Sequence, residues 1–229
     1  MRGDGLKSLP EQIADRIGDE IVTGAYQPGQ RIQEQHVAAA LGVSRGPVRE
    51  ALRILEKDGL VVIHPRRGAQ VTHLTVDEVK EIFDIRMVLS ALAAQLIIER
   101  DDAATLARLK EMIAALKSIA AEDGDTEVYA RQAYALSLFL ATASGSARLE
   151  AMMHALARQT LRYSQLGLST PERRRRSARL WTRLLQAMRA GDREETEALS
   201  RRLVTESRDK IIELLEAEEP AAGKRRAAG

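Results

Sequence analysis

Cysteine is absent from the 229 residues, which excludes disulfides, thiolate metal sites and a cysteine nucleophile together. Aromatic residues are scarce as well, at 3% against 45% hydrophobic residues overall, and so Ala-rich, Leu-rich composition favours helices over a sandwich or barrel. No apolar run approaches the roughly 20 residues that span a bilayer. The opening MRGDGLKSLPEQ holds no stretch of signal-peptide type, so the expected location is the cytoplasm of a bacterium-like cell, with no membrane partner. A large net charge is missing too: 35 basic side chains face 33 acidic ones, a formal balance of +2. The chain has no G-x-S-x-G or H-E-x-x-H string and no glycine-rich phosphate loop after a strand. No enzyme and no cofactor are therefore expected.

What positive charge there is concentrates locally, with six basic against three acidic side chains in residues 42–72. That stretch, with the residues just before it, reads as a winged helix-turn-helix. Val37, Ala38 and Leu41 mark one side of a short helix, Gly42 suits the turn, and Ser44 suits an N-cap. In the next helix Val48, Ala51, Leu52 and Leu55 repeat at the spacing of one buried stripe, which turns Gly46, Arg49, Arg53 and Lys57 to solvent. Asp58-Gly59 ends it, and strands over 60–63 and 69–72 flank a cationic tip, His64 to Gly68. The N-terminal residues of such a helix meet base edges in the major groove, and arginine pairs bidentately with guanine. Arg45 and Arg49 are thus the expected readers, with Arg66 and Arg67 on phosphates or in the minor groove.

Upstream, Ser8 and Glu11 form a capping box before a helix with Leu9, Ile13, Ile17 and Ile21 on one stripe, closed near Gly24. Downstream, Thr75 and Glu78 repeat the box, and punctuation by Gly, Pro and capping residues divides the remainder into helices near 76–99, 102–121, 126–143, 147–166, 171–190 and 193–217, the first with a break near Phe83. The fold class is mostly α: a winged domain over 1–74, an all-α bundle of six to seven helices over 75–218, and a disordered tail over 219–229. The run Arg173 to Arg176 reads as a solvated helix face or a dimer rim rather than a nucleic-acid patch.

The string LGVSRGPVREALRILEKDGLV followed by HPRRGAQV resembles the DNA-binding domain of GntR-family transcriptional regulators, and the helical remainder resembles the FadR-type ligand-binding domain called FCD. The resemblance implies DNA contacts at Arg45, Gly46 and Arg49 on the recognition helix and at His64, Arg66, Arg67 and Gly68 in the wing. It places Gln35 where some members have a basic phosphate contact. It further implies a cytoplasmic homodimer on an inverted-repeat operator in double-stranded DNA, repression, and a small metabolite in the helical domain. Many FCD domains hold a divalent cation with one Asp and three His. Aligned on Ser144-Gly145 and Gly191-Asp192, this chain has Ala133, Ser137, Trp181 and Leu203 at those places, and His154 is its only histidine beyond residue 73. No metal is expected. Arg86, Tyr134, Ser137, Arg162 and Trp181 are the candidate effector residues, for a ligand with an apolar body on Trp181 and a carboxylate on arginine. Two alternatives stand beside this: Trp181 fills the void and the helical domain only dimerises, or the chain is a helical interaction or scaffold protein.

Overall fold

The computed structural model describes residues 7–226 other than 66 and 123, and the backbone alone at 162 and 218–226. The chain divides into two compact units that meet between His73 and Leu74.

In the first unit, helix α1 (Leu9–Val22) opens with the Ser8 backbone N–H donating to Glu11 Oε2 at 2.7 Å. Its buried stripe is Ile13, Ile17 and Ile21; Leu9, expected on that stripe, is 46% exposed because it lies at the free first turn. Strand β1 (Arg31–Ile32) is too short to show a two-residue period and was not expected. Helix α2 (Glu34–Leu41) ends at Gly42, whose φ of 65° is left-handed and favours glycine, and this turn sends the chain into α3 (Arg45–Lys57). Ser44 holds the N-cap position in extended conformation, but its side chain makes no capping hydrogen bond.

The wing is β2 (Val61–His64) and β3 (Gly68–Val71), one residue off the expected bounds. With β1 it forms an antiparallel sheet in the order β1-β3-β2. Val48, Ala51, Leu52 and Leu55 of α3 are buried against Ile13, Ile17 and Ile21 of α1 and against Ile32, Val61, Ala69 and Val71 of the sheet. Truncating a residue such as Leu52 to Ala would cost about 2–5 kcal/mol. This core fixes which face of α3 turns outward.

The second unit is a bundle of α4 (Val76–Arg100), α5 (Ala103–Ala121), α6 (Thr126–Ala143), α7 (Ala147–Gly167), α8 (Pro171–Ala190) and α9 (Arg193–Arg226). Thr75 caps α4 through the reciprocal bonds of a capping box. Asp102, Asp125, Ser146 and Thr170 cap the following four helices. The break expected near Phe83 does not occur, since α4 holds neither Gly nor Pro and Phe83 is 1% exposed in the packed interior.

Helix α9 also runs past the expected stop at 217, so residues 219–226 have helical backbone rather than an irregular tail; 227–229 lie outside the described residues. Pro220 removes a single donor, while Glu and Ala on either side are strong helix formers. Helices α4 and α9 pack along each other, with α6 against α7 and α5 against α8. Leu74, Phe83, Tyr163 and Ile211 form a smaller cluster at one end, where the Leu74 backbone N–H donates to Tyr163 Oη at 2.9 Å. Among the described residues no helix is long and apolar enough to cross a membrane.

Candidate nucleic-acid interface and the cavity of the helical unit

Packing of the apolar stripe of α3 leaves Arg45, Gly46, Arg49 and Arg53 exposed. Arg45, Arg49 and Arg53 flank a groove whose other wall is the wing, with His64, Arg67 and Gly68 lining it beside Gln35 of α2. Of the seven expected contact residues, five thus line this groove and Gly46 is exposed at the start of α3; Arg66 is outside the described residues. A Cβ added at Gly46 would meet nothing within 4 Å, so packing does not demand glycine there. Gly68 differs. Its φ of 80° is left-handed, and the hairpin needs it whether or not DNA is near. His64 Nε2 lies 3.1 Å from Gln70 Oε1, which ties the wing tip to β3.

Glu34, at the start of α2, was missed in the sequence. Its carboxylate accepts from Arg49 Nε at 3.2 Å and Nη2 at 3.0 Å, and from Arg45 Nη2 at 3.4 Å. Both expected readers therefore converge on one acid. The Arg49 hydrogen bond holds the Glu34 carboxyl below its ordinary pKa, against the upward push of partial burial. The same pair raises Arg49. No local pattern in the sequence signals this pairing, since Glu34 is eleven and fifteen residues before its partners and the turn at Gly42 brings them together. Arg31 and Arg53 also line the groove.

In the helical unit, Arg86 of α4, Tyr134 and Ser137 of α6 and Trp181 of α8 line one internal cavity of about 70 Å³. Arg86 Nη1 donates to Thr160 Oγ1 at 2.6 Å, and its guanidinium lies over Phe83, 4.8 Å from the ring centre. Burial pulls its pKa down to about 10. Trp181 is 5% exposed and fills part of the space without closing it. Arg162 falls on α7, and its side chain is outside the described residues.

Ala133, Ser137, Trp181 and Leu203 all line this cavity. These are the positions that the FCD resemblance gives to a divalent cation, and a methyl, a hydroxyl, an indole and an isobutyl group are not a ligand set for one. Among the described residues the cavity wall carries no carboxylate or imidazole.

The arginine run 173–176 is split: Arg175 and Arg176 are exposed, as a solvated face requires, while Arg174 is buried and Arg173 partly so. Arg174 is 4% exposed and donates to Thr126 Oγ1 and to the carbonyls of Leu168 and Ser169. Arg173 and Arg176 converge on Glu206 of α9, both at 2.7 Å, where Arg202 joins them.

Comparison with known proteins follows the same division. Residues 9–71 match the bacterial regulatory proteins of the gntR family, and residues 81–206 match the FCD domain. The HTH-type transcriptional regulator YdhC of Bacillus subtilis is 41% identical over 118 residues, 51% of this chain and 53% of that protein. The gluconate operon transcriptional repressor of the same species is 33% identical over 115 residues, 50% of this chain and 47% of that one. The chain thus spans about half the length of the curated relatives it matches. Among solved structures, Escherichia coli McbR/YncC superposes with a TM-score of 0.76 at 26% identity, covering 93% of this chain and 99% of that one. A putative GntR regulator from Rhodococcus sp. RHA1 shares the fold, with a TM-score of 0.75 at 24% identity over 90% of this chain and 98% of the other. With the FCD match alone spanning more than half of its residues and the gntR match covering the winged unit before it, the chain belongs to the gntR family of bacterial regulatory proteins and carries an FCD domain.

Proposed function

We propose that this protein is a sequence-specific DNA-binding transcriptional regulator that acts as a homodimeric repressor on an inverted-repeat operator. The observation that carries the reading is the surface on which Arg45 and Arg49 of α3 stand beside His64, Arg67 and Gly68 of the wing. A recognition helix enters the major groove by its N-terminal residues, while wing cations hold the backbone. The relatives named above as transcriptional regulators point the same way. One recognition helix reads only a few base pairs, so a two-fold dimer is what gives an operator of useful length.

Selection from a random duplex library, followed by gel shift across a salt series, tests the proposal. The expected result is an enriched palindromic sequence bound with a steep salt dependence. A protein that served as a scaffold or an enzyme would enrich no sequence.

A further inference from the structure

On the helical unit, α5 and α8 pack side by side and leave an open groove of about 590 Å³ between them. Its floor is alanine: Ala120 and Ala178 are buried at the helix contact, and Ala121 stands exposed beside them. Its rim is cationic. Arg175, Arg179 and Arg183 follow one another every four residues along α8, about 6 Å apart in rise, and Lys117 stands on the α5 wall. All four are exposed, and among the described residues no acid lines the groove. Arg183 is held by Glu195 of α9 at 2.5 Å, whereas Lys117 and Arg179 make no ion pair among the described residues. Like charges four residues apart destabilise a helix. Three in succession over a concave apolar floor therefore serve an anionic guest better than they serve the fold.

We propose that the groove between α5 and α8 is a docking site for an acidic amphipathic helix of a partner protein. A floor of alanine lets helix axes approach to roughly 8 Å, and carboxylates placed every four residues on the incoming helix repeat at the same rise as the three arginines. The apolar face beside those carboxylates then covers Ala120, Ala121 and Ala178, the arrangement by which amphipathic helices are held in grooves. A nucleic-acid strand fits less well. Its phosphates match the arginines, but among the described residues the groove has no aromatic side chain for a base to stack on. A bilayer fits less well too, because the floor is recessed and no large apolar side chain projects from it. The groove shares no residue with the exposed apolar side chains of α4, Ile85, Val88 and Leu92, and does not compete for them. Nothing in it depends on the winged unit, so it stands or falls apart from the DNA-binding reading.

The test is fluorescence anisotropy of a labelled helical peptide of roughly 16 residues, with a glutamate at every fourth position and alanine and leucine on the flanking face, titrated with the full chain. Saturable binding that weakens as salt rises is expected, and a scrambled peptide of the same composition should bind at least tenfold more weakly. An exposed ion pair is worth up to about a factor of five, so reversing two cations together, Lys117→Glu with Arg179→Glu, should weaken the patterned peptide by about tenfold or more. The same variant should prefer a peptide with lysines in place of the glutamates. Ala121→Trp keeps every cation and raises the floor, so it too should weaken binding by about tenfold; a merely electrostatic surface would tolerate it. All three positions are exposed, and melting temperatures within about 2 °C of wild type are expected. Mass by light scattering and affinity for random duplex should not change in the double reversal. Equal binding of patterned and scrambled peptides, undiminished binding in either variant, or no saturable binding at all would overturn the proposal. So would a fall in mass, which assigns the groove to a second copy, or a fall in duplex affinity as large as the peptide's, which assigns it to nucleic acid. Phosphatidylglycerol vesicles bound by wild type and not by the double reversal would assign it to a lipid surface instead.

Discussion

At the scale of single residues, the informative contact is Glu34 with Arg45 and Arg49. Arg49→Ala removes an exposed side chain and little packing, so the fold should survive while operator discrimination falls by about 1–3 kcal/mol per half-site. Competition gel shifts against scrambled duplex measure this, and unchanged discrimination would remove Arg49 from the reading set. Arg67→Ala should behave differently, weakening all sequences alike and flattening the salt slope by about one per chain. Glu34→Gln is the sharper experiment. It deletes a negative charge from the phosphate-facing surface and releases both arginines, so affinity for random DNA should rise while the ratio of operator to random binding drops. A Glu34→Gln protein with undiminished specificity would show that the acid does not position the readers. The arginines themselves were legible in the sequence, because their spacing against the apolar stripe forces them outward. Their shared acid was not, because Glu34 is eleven and fifteen residues away and only the turn at Gly42 brings it near.

At the scale of elements, α8 and α9 are clamped by Arg173, Arg176 and Arg202 around Glu206, whose side chain is 14% exposed. Burial pushes its carboxyl upward, but the three arginine hydrogen bonds outweigh that and hold it at about 2 against an ordinary 4.5. A depressed carboxyl contributes stability that is complete above its unfolded pKa and is lost as pH falls through the folded one. The contribution of Glu206 should therefore be full above pH 4.5 or so and fade toward pH 2. Glu206→Gln is expected to cost about 2 kcal/mol at neutral pH, on the scale of one charged hydrogen bond. Denaturant titrations at pH 7 and pH 3 check it: the gap between wild type and variant should narrow at the lower pH, and a constant gap would assign the loss to packing. Reading 173–176 from sequence as a solvated face holds for the exposed Arg175 and Arg176 but missed the buried Arg174 and the shared Glu206, because a run of like charges says nothing about an acid thirty residues downstream on another helix.

At the scale of the whole molecule, the outer face of α4 is the notable surface. Ile85, Val88 and Leu92 recur at intervals of three and four and are 47%, 49% and 46% exposed, an apolar strip on a helix whose other side is fully packed. Such strips mark association surfaces, and the proposed two-fold reading of DNA supplies the second copy. Leu92→Arg with Val88→Arg is expected to halve the mass seen by light scattering and, with it, to weaken operator binding by far more than tenfold, since each half-site alone is a poor ligand. A doubly substituted protein that still scatters as two chains would move the interface elsewhere.

Several features of this protein were determined by local order in the sequence. Apolar period, caps and turn glycines are carried by residues within one or two turns of each other, so the recognition helix, the wing and the bounds of α4 to α8 could be read within a residue or so. The short strand β1 and the extension of α9 past Pro220 escaped for the same reason, since each depends on neighbours outside the local window. Chemistry at the implied cation positions was also readable, because Ala133, Ser137, Trp181 and Leu203 are poor ligands in any fold. Only the tertiary structure decided that these four, with Arg86 and six serines from five helices, surround one space. Helix packing sets which faces meet, and no periodicity within a helix records the identity of the residues that its neighbours place across a cavity.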